Sequence, residues 1–348
     1  MVESVAAAAP ERGLSRARRA DWTLPLLIFV AFAVVPLFGG AASGSYVLSL
    51  VTRVMVFAIA ALALDLLVGF GALVSFGHAA FMGLGAYAVG ILAAHGIGDA
   101  LVALPVALAA AMLFAWVTGI VCLRTRGVYF IMITLAFGQM AYFTASSLAP
   151  YGGDDGLTIA ARNTIFGFEV LRDDRALYFV TLACLVGAYL LCRAVVGSRF
   201  GRVFRGAREN PVRMAAIGFE VYRYQLVGYV LAGGLGGLSG FLLANATEFV
   251  SPAYMSWQRS GELIIMVILG GIGTLHGAIV GAAAFILVSE WLPEGIYQLG
   301  ALLQIRSVSD FAEHWKIVFG PLLVLVVLFA RGGLIGVGRR ILGRSGHE

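Results

Sequence analysis

The chain has 348 residues, 60% of them hydrophobic and 12% charged, with a mean hydropathy of +0.93. Soluble domains carry roughly 25% charged residues, so a water-soluble globule is excluded and an all-α, polytopic integral membrane protein fits. Strand-like alternation is absent and the apolar runs are too long for barrel strands, which argues against a β-barrel. The net charge of +5 sits in short blocks beside apolar runs, where it reports topology and not nucleic-acid binding.

In chain order, residues 1–22 are rich in Ala, Arg and Ser and read as a frayed cytoplasmic tail, held there by Arg12, Arg16, Arg18 and Arg19. A membrane domain is expected over 23–332, and 333–348 reads as a second cytoplasmic tail. The first apolar run, Leu24–Phe38, is short; a signal peptide with a cleavage region at Ala41-Ala42-Ser43 is the alternative to a first span. Further apolar runs at about 46–68, 77–95, 101–123, 127–149, 176–196, 225–247, 260–274, 277–292 and 316–331 bring the total to about ten spans.

An even number of spans starting inside returns both termini to the cytoplasm. Arg124, Arg126, Arg193 through Arg223, and Arg331, Arg339, Arg340 and Arg344 then join the N-terminal four on that side. Arg162, Arg172, Arg175, Arg259, Arg306 and Lys316 fall outside, and Arg53 lies within a span. Two outer loops, about 150–175 and 293–315, carry acidic residues and can either meet a soluble partner or serve as solvated connections.

Glycine numbers 45. Pairs at four-residue spacing, such as Gly236 and Gly240 or Gly277 and Gly281, let helix backbones approach closely in lipid. The cluster from Gly69 to Gly85 holds too many helix breakers for one straight span, so a broken or re-entrant segment is expected, with Ser75 and His78 lining a polar path or packing in the core. Gly271–Gly277 interrupts a second apolar region in a similar way. Asp65, Gln139, Asn245, Glu262 and Glu290 are intramembrane polar candidates, of which Gln139 and Asn245 are placed deepest, as substrate contacts or as interhelical hydrogen bonds.

No catalytic or metal constellation is visible: the histidines are dispersed, and Cys122, Cys184 and Cys192 read as small core residues. Lys316, the only lysine, follows Trp315 with no glycine-rich loop, so this chain has no phosphate loop. No cofactor is expected on it; ATP and Mg, if used, belong to other subunits.

The most polar stretch, Ser198–Tyr224, lies between two long apolar runs. Pro211 suits the first turn of a helix, and Met214, Ala215, Ile217, Gly218 and Val221 give a small apolar face, with Arg205, Arg208, Glu209 and Arg213 near the start. A short helix along the membrane surface is expected, docking into a cytoplasmic ATPase or lying on lipid.

Several blocks resemble ABC importer permeases of the LivM type across roughly 46–292. They are A-L-D-L-L-V-G-F-G-A-L-V-S-F-G-H-A-A-F-M-G-L-G-A-Y (Ala63–Tyr87), R-G-V-Y-F-I-M-I-T-L-A-F-G-Q-M (Arg126–Met140), G-G-D-D-G-L (Gly152–Leu157), the run from Gly201 through Arg208, Glu209, Asn210 and Pro211 to Leu226, and L-G-G-I-G-T-L-H-G (Leu269–Gly277). The resemblance implies an inner-membrane subunit beside a LivH-type permease, two cytoplasmic ATPases of the LivG/LivF type, a periplasmic or lipoprotein binding protein, and surrounding lipid. It implies a coupling helix containing Arg205, Arg208, Glu209, Asn210, Pro211, Arg213, Ala215 and Gly218. The implied cargo is leucine, isoleucine and valine, with urea or short amides as the alternative. Tyr151 and His276 depart from the usual threonine and tryptophan of related chains. A rival of another class is an ion-coupled secondary transporter using Asp65 or Glu262.

Overall fold

The computed structural model describes residues 11–38, 44–302, 317, 319–321 and 332–336. In order these form α1 (Glu11–Phe38), α2 (Gly44–Gly71), α3 (His78–Ala94), α4 (Ala100–Cys122), α5 (Val128–Ser146), β1 (Leu157–Thr158), α6 (Asp174–Gly197), α7 (Arg199–Glu209), α8 (Pro211–Ala216), α9 (Val221–Thr247), β2 (Phe249–Val250), α10 (Trp257–Gly270) and α11 (Leu275–Leu302). The strands pair antiparallel, Leu157 opposite Val250. α1 starts at Glu11, inside the segment read as a frayed tail. The expected span at 316–331 lies largely outside the described residues, as does most of the tail 333–348.

Among the described residues six helices are long and apolar enough to cross a membrane, and Thr23–Pro36 and His78–Ala94 are shorter apolar helices. α2 is the axis. Its most apolar window is 94% buried, against 28% for each of α4, α5 and α6, whose outer faces carry residues such as Trp116, Met132 and Phe179. Packing around α2 depends on small residues, because in lipid close van der Waals approach, and not apolar burial, drives helices together. Ala103, Ala107, Ala111 and Ala115 form the buried stripe of α4. It meets Gly233 and Gly237 of α9, while Gly240 lies against the backbone of Met82 in α3. Gly277 and Gly281 of α11 leave no room for a Cβ against Gly270 and Met266 of α10. Four-residue glycine spacing is thus close packing here, as expected.

The two interrupted regions take different forms. α2 continues through Gly69 to Gly71, and the break falls at 72–77, where Ala72 takes a φ of +54°. The segment rises along α5, with Gly77 against Thr134, so that α3 begins deep in the bundle. Phe76 N donates to Thr134 Oγ1 at 3.3 Å and Ala79 N to Ser260 Oγ at 3.1 Å. Non-helical backbone at such depth requires partners inside the protein.

From the opposite face, the chain after β2 descends along α3, with Val250 beside Gly90, Met255 beside Gly83 and Ser260 beside Ala79. That descent of about 16 Å along a helix axis precedes most of α10, whose 14 residues reach only about 21 Å, short of a bilayer core of roughly 30 Å. The expected full span at 260–274 is therefore a half-helix preceded by a second re-entrant segment. Ser251 and Ser256 cap the turns of that descent, accepting from Ala253 N and Arg259 N. The expected loop at 293–315 also starts later, because α11 continues through Pro293 to Leu302.

Candidate coupling junction and membrane path

The single surface helix expected around Pro211 is two helices. Asn210 interrupts them with an extended backbone and caps α8, its Oδ1 accepting from Arg213 N at 2.9 Å, and Pro211 supplies the first helical residue. Val221 belongs to α9 instead. α7 buries Gly201, Val203, Phe204 and Ala207. The Phe204 ring lies against Gly71 of α2 and Gly228 of α9, where a Cβ would collide with it. α8 folds back so that Met214 covers Gly206. Val212 of α8 and Ile217 at its end have little cover among the described residues, being 72% and 63% exposed. Gly218 turns the chain out of α8 with a φ of +92° and open space around it.

The cationic residues of this unit divide by role. Arg205 folds back onto the carbonyls of Gly201 and Val196 and braces the α6–α7 corner. Arg208, itself exposed, donates to the Gly69 carbonyl near the end of α2. Glu209, Arg213 and Ala215 stay exposed. Beside Arg208, the fully buried Asp65 accepts from Gly273 N at 2.7 Å, which fastens the α10–α11 turn to α2. The other Asp65 oxygen is buried with no hydrogen-bond partner, and Arg208 acts on this carboxylate electrostatically. Gly273 needs its φ of +77° to present that N–H. Three elements thus meet at Gly69: α2, the α10–α11 turn and α7. A cavity of about 210 Å³ adjoins the junction, lined among others by Ala72, Arg126, Arg208, Pro211 and Gln225.

The path candidates lie apart from one another. Ser75 and His78 are fully buried; His78 has no hydrogen-bond partner among the described residues and stands edge-on to Phe81 at 5.3 Å. Tyr229, set against Ser75 and Thr118, closes the same cluster. Asn245 is engaged at both ends: Oδ1 accepts from Asn163 N and Nδ2 donates to Phe241 O, each at 2.9 Å. It ties the long loop before α6 to α9. Arg162 strengthens that tie by pairing with Asp174 at 2.7 Å and Glu248 at 2.9 Å. Gln139 is partly exposed on α5, next to the exposed Met140, on the face that the chain itself leaves uncovered.

Arg259, expected in an outer loop, instead sits over the Phe57 ring at 5.3 Å, near the middle of the 26-residue span Tyr46–Gly71. Sequence reasoning missed it because the apolar run was counted from 260, one residue past Arg259, and not from the serine cap at Ser256.

The chain matches the family described as branched-chain amino acid transport system / permease component over residues 46–327. It is 26% identical over 312 residues to the high-affinity branched-chain amino acid transport system permease protein LivM of Escherichia coli (strain K12), covering 83% of this chain and 69% of that protein. The corresponding LivH protein of Salmonella typhimurium is 22% identical over 182 residues, 52% of this chain and 53% of its own. The nucleoside ABC transporter permease protein NupC of Lactococcus lactis is 30% identical over 101 residues, 25% of this chain and 32% of its own. No solved structure matches. With its multi-pass helical fold and a family match spanning most of its length, the chain belongs to the branched-chain amino acid transport system / permease component family.

Proposed function

We propose that this chain is one permease subunit of an ABC importer that carries branched-chain amino acids across the inner membrane. ATP and Mg act on two separate cytoplasmic ATPases, a LivH-type permease completes the path, and a binding protein delivers cargo from outside. Both termini and the α7–α8 unit face the cytoplasm. Arg208, Asn210, Pro211 and Gly218 shape the docking unit, and Arg205 braces it.

One observation carries this reading: α8 offers an uncovered apolar tip at Val212 and Ile217, while α7 behind it grips α2 through Phe204 and Arg208. A tip seated in an ATPase groove can then move α2 and the α10–α11 turn as one body. A secondary carrier has no use for that linkage.

The test is uptake of radiolabelled leucine and urea into vesicles holding the chain and its partners, with Val212→Asp and Ile217→Asp beside wild type. Both side chains are exposed, so the fold tolerates the changes. Leucine uptake falls at least tenfold and the ATPases no longer co-purify. Urea uptake alone moves the cargo, and leucine uptake indifferent to both substitutions and to ATP defeats the importer reading.

A further inference from the structure

Four charged side chains meet in a cleft of about 300 Å³ between α2, α10 and α11. Arg259 pairs with Glu262 at 2.5 Å, and Arg53 stands 3.8 Å from Glu290, which also accepts from the Tyr46 hydroxyl at 2.7 Å. Phe57, Met266 and Phe285 form an apolar wall beside them. The Arg259 contact with Phe57 sets Arg259 and Glu262 near mid-span, and Arg53 and Glu290 continue from there toward Tyr46 at the start of the span.

Ionised side chains within a span are costly when they face lipid. Yet the side chains of Arg259 and Glu262 keep 25% and 24% of their surface exposed, and Arg53 keeps 49%. Such surface belongs on a wetted path. The pairing is also incomplete as a structural lock, because Arg259 Nε is buried without a hydrogen-bond partner among the described residues. α10 begins here, and its positive end adds to the pull on an anion.

We propose that this cleft is an intramembrane binding site for an α-amino acid zwitterion with an apolar side chain. The cargo carboxylate replaces Glu262 on Arg259, the released Glu262 takes the cargo ammonium, and the side chain rests on Phe57 and Met266. A zwitterion entering in this way leaves every charge paired. A ligand carrying one charge strands a partner without its counter-charge. The volume lies at the small end of ligand pockets, roughly 300–1,000 Å³, as a single amino acid requires. The proposal rests on the amino-acid cargo proposed above.

The experiment uses the assembled transporter in vesicles, with binding protein and ATP. Ser289, which also lines the cleft, is changed to Cys after Cys122, Cys184 and Cys192 are replaced by Ala, and its labelling by a charged methanethiosulfonate reagent is timed. Leucine slows labelling at least fivefold, whereas leucinamide and 4-methylpentanoate, each lacking one charge, slow it less than twofold. Adding Glu262→Gln removes the leucine effect. In the otherwise native chain, Arg259→Gln lowers maximal uptake at least tenfold at equal membrane amount, and Arg259→Lys restores part of it. Labelling unaffected by leucine in a transporter that imports leucine overturns the site and leaves the importer standing, as does equal protection by all three compounds. A wild-type transporter that takes up no leucine overturns the cargo reading and the site with it.

Discussion

The two glycine-rich interruptions, 72–77 and 271–274, look alike in sequence and are held by different chemistry. The first starts at Ala72 beside the α7 junction and runs into the bundle, where the neutral hydroxyls of Thr134 and Ser260 accept from Phe76 N and from Ala79 N at the start of α3. The second lies at the α7 end, held by the Asp65 carboxylate with Arg208 alongside. The first is therefore fastened to neighbouring core helices at its inner end, and the second to α7 of the proposed docking unit. A glycine interruption marks where backbone must be re-satisfied, and its partners determine what it transmits.

Breaking the second connection has the largest expected effect. Arg208→Ala removes a charge-assisted hydrogen bond of about 2 kcal/mol and leaves α7 held to α2 by Phe204 alone, so leucine uptake falls at least tenfold while the protein stays in the membrane; Arg208→Lys recovers part of it. Uptake assays at matched membrane amounts check this. Next comes Gly273→Ala, which forces a side chain into a φ of +77° at a cost of about 1–2 kcal/mol. It lowers uptake severalfold with a smaller loss of thermal stability in detergent.

The first connection responds differently. Ser260→Ala leaves Ala79 N without its acceptor and costs about 1 kcal/mol, which lowers the melting temperature by a few degrees while ATP hydrolysis per leucine transported stays unchanged. A shift in that ratio would show that both breaks are coupled. The smallest effect is expected at Gly187 of α6, where a Cβ meets nothing within 4 Å. Gly187→Ala changes stability by less than about 1 kcal/mol, in the stabilising direction.

Much of this arrangement was legible in the sequence. Apolar run length placed helices near their observed positions, and four-residue glycine spacing marked the α3–α9 and α10–α11 contacts. Helix breakers pointed to the interruption before His78. What escaped was depth and pairing. The descent of 250–256 carries only Pro252 and two serine caps, a local signal that says nothing about entering the membrane. Asn210-Pro211, an N-cap followed by a first-turn proline, was a readable signal that α7 and α8 are separate, obscured by the run of arginines. Asp65 stood out as an intramembrane acid, but its partner Gly273 is 208 residues away, and no local pattern encodes such a contact. Asn245 was read as deep in the membrane; it is buried, but it lies near the end of α9, and its two hydrogen bonds lie with a distant loop and its own helix.

The claim most exposed to test is that Arg208 carries motion from the docking unit to the membrane path. In proteoliposomes holding the complete transporter and binding protein, ATP hydrolysis and leucine uptake are measured together for wild type and Arg208→Ala. The account predicts that hydrolysis persists within about twofold while uptake drops at least tenfold, so that ATP used per leucine rises. An unchanged ratio, with both activities intact or both lost in proportion, would contradict it.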